Sequence, residues 1–268
     1  VSEIEVASFV PPKLLPQMAD AGEVVPAARK LAGLTVSALV PNLKGAERAA
    51  AAGAMKLNYA MSVSESHNQA NVRRSVAESL EDFGRIVAYC RGLPEEGRPI
   101  VCGGLATSFG CTIEVAVREE RVIELAVELA RLGADELVVA DTVGYGNPAA
   151  VRRVFTAIRR ELGELPVGAH FHDTRGVGIA NVVAALDAGV IRFDASLGGF
   201  GGCPYAPGAS GNICMEDLVF LLESMGYATG VDLAALIEVR RFLEASLPGE
   251  RFQGAVARAG IPKNFIPA

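Results

Sequence analysis

Two of the three histidines in this chain, His170 and His172, lie two residues apart. They end a short apolar run over residues 166–169, which is typical of a buried β-strand. Side chains at positions i and i+2 of a strand point to the same face, so both imidazoles can reach one point. Imidazole is a common ligand of divalent metal ions, and the spacing therefore indicates a metal site. The alternative is structural, with one histidine packed in the core and the other in a turn.

A glycine-rich segment over residues 198–212 is the second candidate for chemistry. It holds Cys203 among six glycines, which indicates a lid that carries a thiol over a substrate. The alternative is a long connection with an incidental thiol. A dinucleotide loop fits poorly because Pro204 interrupts the glycine pattern and no helix begins there. Asn212 ends the segment, and it either adds an oxygen ligand to the two histidines or caps the helix that contains Glu216.

Further polar side chains lie at predicted strand ends or within apolar strands. Asp141 follows the apolar residues 137–140, where it either orients a ligand or caps the next helix. Glu5 lies in an otherwise apolar strand, so we expect it to have a partner, which could be an arginine, a metal ion or a structural lysine. His67 lies in a pattern typical of a helix start, and we predict that it is a surface residue.

Apolar runs alternate with segments of helical periodicity along the whole chain, which predicts repeated βα units around a parallel sheet. We predict strands near 3–8, 34–40, 54–61, 99–106, 135–141, 166–172 and 190–197. We predict helices near 22–32, 43–52, 67–91, 117–132, 147–162, 176–188, 215–226 and 232–246. An open doubly wound sheet would favour a glycine-rich loop after the first strand, and residues 5–12 contain no glycine.

The polar residues at the strand ends favour a closed (β/α)8 TIM barrel, where strand ends converge on one mouth and build the active site. The predicted strands number seven whereas a barrel has eight, so we expect that the first strand and its helix are lacking before Val1. The chain is then one N-terminally incomplete barrel domain over residues 1–268 with extra C-terminal helices. The polar residues that favour the barrel are Glu5, Ser8, Asn58, Thr107, Asp141, Thr142, His170, His172, Asp194 and Ser196.

Composition excludes several classes of function. The net charge of −6 and the lack of a basic run argue against a nucleic-acid partner. No apolar run reaches the roughly 18 residues that cross a bilayer, so no membrane partner is expected. The five cysteines show no CxxC spacing, which argues against a zinc ribbon or a disulfide scaffold. Reduced thiols and the lack of a signal pattern predict a cytoplasmic protein.

With these residues assembled, the chain resembles the 3-hydroxy-3-methylglutaryl-CoA lyase family, which belongs to the metal-dependent Claisen-type TIM-barrel enzymes. The resemblance runs over nearly the whole length, and the most specific match is the cysteine loop SLGGFGGCPY at residues 196–205. Further matches are IEVASFV at 4–10, PQMAD at 16–20, ADTVG at 140–144, HFHDT at 170–174 and GASGN at 208–212. The resemblance implies a retro-Claisen cleavage of 3-hydroxy-3-methylglutaryl-CoA to acetyl-CoA and acetoacetate.

The resemblance also implies roles for individual residues. His170, His172 and Asn212 would bind Mg²⁺ or Mn²⁺, and Glu216 would support the helix behind Asn212. The residues with implied catalytic or substrate-binding roles are Cys203, His170, Asp141, Glu5, Ser8 and Thr142. The family has an Arg-Asp pair at the end of its first strand, and no such pair precedes Glu5 in this chain.

Two other functions are compatible with the sequence. The first is a lyase for a 3-hydroxy-3-alkylglutaryl-CoA with a longer or branched alkyl group. The second is a catalytically inactive barrel that binds CoA or a partner. An incomplete barrel exposes a strand edge next to Glu5, so we expect a homodimer or a higher homo-oligomer.

Overall fold

Seven β-strands form one parallel sheet in a computed structural model that describes residues 1–202 and 211–268. The strands follow one another in the sheet in chain order, each paired with its neighbours in sequence. They are β1 (Glu3–Ser8), β2 (Thr35–Val40), β3 (Lys56–Ser62), β4 (Ile100–Ala106), β5 (Glu136–Asp141), β6 (Val167–Phe171) and β7 (Arg192–Asp194). The predicted seven strands are confirmed, although β7 is shorter than the predicted 190–197.

The sheet curls as part of a TIM barrel, and the predicted fold class is confirmed. Val36, Leu57 and Val101 are fully buried, as expected for strands covered on both faces. No pairing joins β1 to β7 within residues 1–202 and 211–268. Helices connect successive strands on the outside of the sheet, and α5, α6 and α7 pack against one another there.

The helices agree with the predicted pattern except at two places, the predicted helix near 67–91 and α10, which was not predicted. They are α1 (Ala21–Ala28), α2 (Leu43–Ala51), α3 (Glu65–Val72), α4 (Val76–Arg91), α5 (Glu119–Arg131), α6 (Pro148–Leu162), α7 (Gly178–Asp187), α8 (Met215–Ser224), α9 (Leu233–Ser246) and α10 (Ala255–Ala259). The prediction of one helix near 67–91 is wrong. Arg73 takes a left-handed conformation with φ of 57°, and Ser75 begins a new helix with a capping box to Glu78.

The C-terminal helices carry a second, smaller core. Val219, Leu233, Ile237 and Val256 are buried together where α8, α9 and α10 meet. The helices around this core contact the start of the glycine-rich segment. The backbone N–H of Gly198 donates to Glu216 in α8, and the carbonyl oxygen of Gly198 accepts from the backbone N–H of Gln253, which precedes α10. None of the helices in the described ranges has the length and apolar character that a bilayer crossing requires.

Candidate active site

His170 and His172 point toward each other at the carboxyl end of β6. Their Nε2 atoms are 3.1 Å apart, and their ring centroids are 5.1 Å apart. His170 is half-buried, whereas His172 is 5% exposed. The predicted convergence of the two imidazoles is therefore present in the structure. Two facing imidazole nitrogens can share either a proton or a cation.

Asp194 at the end of β7 fixes the orientation of His170. The two residues are paired in the register between β6 and β7, and the carboxylate of Asp194 accepts a hydrogen bond from His170 Nδ1. A protonated Nδ1 leaves the lone pair of Nε2 free to face His172. Asp194 was visible in the sequence only as one of several polar strand ends, and its role requires the strand register.

The two histidines differ in electrostatic environment. Burial lowers the pKa of His170, but the nearby carboxylates of Asp194, Glu5 and Asp141 outweigh this effect and raise the pKa above its usual value. Burial and the neighbouring His170 lower the pKa of His172 to about 4. His172 is therefore neutral at physiological pH, which is the form that binds a metal ion.

Asn212 lies beside His172 because residues 211–213 run antiparallel to the end of β6. The backbone N–H of Ile213 donates to Phe171 O over 3.0 Å, and His172 and Asn212 form an isolated β-bridge. The side-chain Nδ2 of Asn212 donates to the carbonyl oxygen of Phe200 over 2.8 Å. The structure thus brings together His170, His172 and Asn212. The alternative interpretation of Asn212 as a helix cap is wrong, because the N-cap position of α8 is Cys214.

Two buried polar atoms at this point have no hydrogen-bond partner among the described residues. They are Oδ1 of Asn212 and Nδ1 of His172. A buried acceptor without a partner is costly, and a cation would satisfy the amide oxygen. Imidazole nitrogens with an amide oxygen make a donor set compatible with a divalent cation. No group of three His, Cys, Asp or Glu side chains suited to a metal is found in residues 1–202 and 211–268. The candidate set here differs from such groups because its third donor is the amide oxygen of Asn212.

Glu216 in the first turn of α8 is fully buried and bonds to the start of the glycine-rich segment. Its Oε2 lies 3.0 Å from the backbone N of Gly198 and 2.7 Å from the thiol of Cys214. Burial and the carboxylate of Glu216 raise the pKa of Cys214 to about 12, so this thiol stays protonated and donates. The contacts of Glu216 fit the supporting role that the resemblance implies.

Glu5 has a different partner from those considered in the sequence. Its Oε2 accepts a hydrogen bond from Nδ2 of Asn58 over 2.7 Å, so no arginine or lysine pairs with it among the described residues. Asn58 lies in β3, two strands away from Glu5 in β1. The carboxylate of Glu5 also contributes to raising the pKa of His170. Glu5 is exposed in the structure, although it lies in β1 between the half-buried Glu3 and Ala7, which is buried.

Asp141 is buried at the end of β5 and organises its own turn. Its two carboxylate oxygens accept from the backbone N–H groups of Tyr145 and Gly146, both over 2.9 Å. Burial raises the pKa of Asp141, and these two hydrogen bonds oppose the shift. Thr142 accepts a hydrogen bond from the backbone N of Thr107 over 3.0 Å, which ties the loops after β4 and β5 together.

The remaining predicted residues divide into three cases. Ser8 ends β1 at the same edge of the sheet as the histidines, half-buried and opposite Leu39. Cys203 lies outside the described residues. The prediction that His67 is a surface residue is wrong, because it is 1% exposed and its Nδ1 lies 2.7 Å from Ser62 Oγ.

The comparison with known proteins agrees with this geometry. A family model described as HMGL-like matches residues 1–243. The chain belongs to the HMGL-like family. Its curated relatives from Bacillus subtilis and Pseudomonas mevalonii, each 40% identical, are named hydroxymethylglutaryl-CoA lyase, so the protein is a carbon–carbon lyase.

Relatives of this HMGL-like chain match along most of their length. Hydroxymethylglutaryl-CoA lyase YngG of Bacillus subtilis is 40% identical over 247 residues, which are 92% of this chain and 81% of that protein. An HMG-CoA lyase from Acinetobacter baumannii, solved with coenzyme A and 3-methylmalate, has a TM-score of 0.91 at 42% identity and covers 100% of this chain and 86% of its own. A Pseudomonas aeruginosa 3-hydroxy-3-isohexenylglutaryl-CoA/hydroxymethylglutaryl-CoA lyase is 39% identical over 260 residues, 97% of this chain and 85% of that protein.

Proposed function

We propose that the protein cleaves 3-hydroxy-3-methylglutaryl-CoA to acetyl-CoA and acetoacetate with a divalent cation, Mg²⁺ or Mn²⁺. The observation that carries this proposal is a pair of facing imidazoles beside Asn212, whose amide oxygen has no hydrogen-bond partner within residues 1–202 and 211–268. Membership of the HMGL-like family and the names of the relatives support the same reaction.

Three side chains would hold the cation. His170 and His172 would each bind through Nε2, and Asn212 would bind through Oδ1. A divalent cation bound there supplies charge that orients the tertiary hydroxyl and the distal carboxylate of the substrate and lowers the pKa of that hydroxyl. Asp194 keeps the lone pair of His170 directed inward through the hydrogen bond at Nδ1.

The chain's own residues would guide the proton and the substrate. A base removes the hydroxyl proton, the bond between C2 and C3 breaks, and the negative charge moves to the thioester oxygen of acetyl-CoA. Cys203, or a water held by His170, would return a proton to the enolate carbon. Four side chains would line the substrate site, namely those of Glu5, Asp141, Ser8 and Thr142. Glu5 is held by its hydrogen bond from Asn58.

Turnover of 3-hydroxy-3-methylglutaryl-CoA by the purified protein tests the proposal directly. We expect acetoacetate only when Mg²⁺ or Mn²⁺ is present, and chelation should abolish its release. Failure to release acetoacetate in the presence of either cation would refute the proposal.

The cysteine is tested separately. Cys203→Ala should lower kcat by about 100-fold to 1000-fold, the usual cost of removing a group that acts in the transition state, and should leave Mn²⁺ binding unchanged. Cys90→Ala is the matched control, because Cys90 is buried in the last turn of α4. Unchanged kcat in Cys203→Ala would remove this thiol from the mechanism.

A related substrate is the second candidate. The Pseudomonas aeruginosa relative is named for a longer 3-hydroxy-3-alkylglutaryl-CoA as well as for the methyl compound. A panel of thioesters with methyl, isobutyl and isohexenyl groups at C3 compares the two candidates. The substrate with the highest kcat/KM identifies the acyl group.

We also propose that the protein is cytoplasmic and forms a homodimer or a higher homo-oligomer. Size-exclusion chromatography with light scattering tests the oligomeric state.

A further inference from the structure

Arg240 in α9 is a buried arginine that has no role in the proposed reaction. Arg240 is 6% exposed, although its neighbour Arg241 is exposed and pairs with Glu238 on the surface of the same helix. The guanidinium Nη1 of Arg240 donates to the carbonyl oxygen of Gln253 and lies 3.4 Å from Oε1 of Glu216. A buried guanidinium is costly unless it is paired and hydrogen-bonded, so the partners of Arg240 must be held in place.

Both inward contacts of Arg240 lead to Gly198. Glu216 accepts from the backbone N–H of Gly198 over 3.0 Å, and the backbone N–H of Gln253 donates to Gly198 O over 2.6 Å. The N–H and the carbonyl of a single residue are thus held by two groups that Arg240 contacts. Gly198 has φ of 60°, and a Cβ there would lie 2.6 Å from the ring of Phe252. Residues 252–254, named here the C-terminal strap, therefore press directly on the start of the glycine-rich segment.

The path continues from Gly198 to Asn212. The ring of Phe200 stacks on that of Phe252 with centroids 5.7 Å apart and an interplanar angle of 18°. The carbonyl oxygens of Phe200 and Gly201 accept from Nδ2 of Asn212 over 2.8 Å and 3.2 Å. These two bonds fix the amide plane and leave Oδ1 as the free end. The position of Phe200 therefore sets the direction of Oδ1 of Asn212, a residue that is bridged through its backbone to His172.

The opposite side of the strap is packed equally closely. Gly254 has φ of 113°, and a Cβ there would lie 2.6 Å from the sulfur of Cys214 and 2.8 Å from Nη1 of Arg240. Arg240 is thus enclosed by the strap on one side and by the start of α8 on the other. A shift of the guanidinium cannot be absorbed without a shift of one of these two segments.

We propose that Arg240 is a positioning residue for Asn212, acting through Glu216, the C-terminal strap and the backbone of residues 198–201. The proposal rests on the function proposed above, in which Oδ1 of Asn212 binds the cation. Arg240 touches neither substrate nor cation. It holds the strap and Glu216 against the glycine-rich segment, so that the amide of Asn212 keeps one orientation.

The first test follows backbone hydrogen exchange in the metal-free protein. Arg240→Met should speed amide exchange at Gly198 and Gln253 by about tenfold, which corresponds to the loss of one hydrogen bond. Arg241→Met removes an exposed guanidinium one position away and should leave both amides unchanged. Equal exchange in the two variants would overturn the first step of the path.

The second test measures Mn²⁺ affinity by electron paramagnetic resonance. Arg240→Met should weaken Mn²⁺ binding by about 10-fold to 100-fold, the usual effect of losing a residue that orients a metal ligand without touching the metal. Arg240→Lys keeps the positive charge and should restore part of the lost affinity. Phe252→Ala should also weaken binding while it leaves every buried charge paired, so it remains informative even if Arg240→Met does not fold. Phe242→Ala, on an exposed face of α9, is its matched control.

The two proposals fail in different ways. Wild-type Mn²⁺ affinity in both Arg240→Met and Phe252→Ala would overturn the positioning role, whatever the wild-type protein catalyses. A different outcome is that the wild-type protein binds Mn²⁺ and both variants bind it more weakly, but the wild-type protein does not cleave the thioester. That outcome supports the positioning role and refutes the lyase proposal. In an active wild-type enzyme, Arg240→Met should raise the Mn²⁺ concentration at half-maximal activity, and full activity at wild-type Mn²⁺ levels would contradict the path.

Discussion

At the scale of single residues, the candidate site depends on how its ligands are oriented. His170 has a carboxylate at Nδ1 and a second imidazole at Nε2, so its tautomer is set by Asp194. Asn212 has its amide nitrogen bonded to two carbonyls, so its oxygen is the end left for a cation. His170 and Asn212 are thus each held by hydrogen bonds on the side away from the candidate cation site, whereas Nδ1 of His172 has no such partner among the described residues.

Removal of the Asp194 carboxylate should weaken the site without unfolding the protein. Asp194→Asn leaves His170 free to change its tautomer and rotate, so we expect Mn²⁺ affinity or kcat to fall by about 10-fold to 100-fold. Asp187→Asn is a matched control, because Asp187 is half-exposed and pairs only with Arg152 among the described residues. A titration that gives the same affinity for both variants would contradict the orienting role of Asp194.

The stability of the metal-free protein should depend on pH through His172. Its pKa is about 4 in the folded state and 6.5 in an ordinary environment, so the unfolded chain binds a proton between these values and the folded chain does not. The free energy of unfolding should therefore fall as pH decreases from about 6.5 to about 4, by about 3 kcal/mol at most. His172→Asn removes this contribution. Urea unfolding at several pH values checks it, and parallel curves for the two proteins would contradict it.

At the scale of elements, the sequence predicted which segments are strands better than it predicted where helices break. Alternation of apolar and helical segments identified all seven strands, because buried parallel strands are apolar on both faces. The break between α3 and α4 had a local signal in Ser75 and Glu78, whose spacing forms a capping box. The periodicity across this break stays helical, and for that reason the two helices were predicted as one.

The side-chain partners of the site were less predictable than the elements. His170 and His172 could be paired from spacing alone, since both lie on one strand. Asp194 and Asn58 required the register of the strands, and Arg240 required the packing of a helix that begins 21 residues after Asn212. Burial of His67 could not be inferred from a local helix-start pattern, because the loop after β4, which bonds to the neighbouring residues Ser64 and Ser66, is remote in sequence.

The capping box offers a test at this scale. Ser75→Ala removes the acceptor for the backbone N–H of Glu78 and should lower the free energy of unfolding by about 1 kcal/mol. Ser75→Asp keeps a side chain that caps helices well and should restore most of the loss. Urea unfolding measures both, and kcat should stay at the wild-type value. A loss as large in Ser75→Asp as in Ser75→Ala would contradict the capping role.

At the scale of the whole molecule, the two ends of the barrel separate stability from function. Residues that begin strands form a charged layer at the amino-terminal end of the sheet. Lys56 in β3 lies 3.0 Å from Glu3 in β1 and 2.6 Å from Glu136 in β5, and Arg192 in β7 lies 2.6 Å from Glu136. These four strands alternate in the sheet, as do the strands that supply one layer of a TIM barrel. The candidate site lies at the carboxyl end.

This separation predicts a variant that is unstable but active. Lys56 is 7% exposed, and the opposing carboxylates raise its pKa above the usual value despite burial, so it is charged in the folded protein. Lys56→Met leaves Glu3 and Glu136 without their shared cation, and the free energy of unfolding should fall by about 3 kcal/mol, since a buried pair that loses one partner is strongly destabilised.

The measurements for Lys56→Met are urea unfolding and kcat at a temperature where the variant stays folded. Lys44→Met is the control, because Lys44 is exposed on α2 and its loss should change neither quantity. We expect kcat of Lys56→Met to equal that of the wild-type protein, since the charged layer lies at the starts of the strands and the histidine pair at the end of β6. A folded Lys56→Met protein with a reduced kcat would show that the amino-terminal layer also sets the geometry of the site, which would contradict the separation of the two ends.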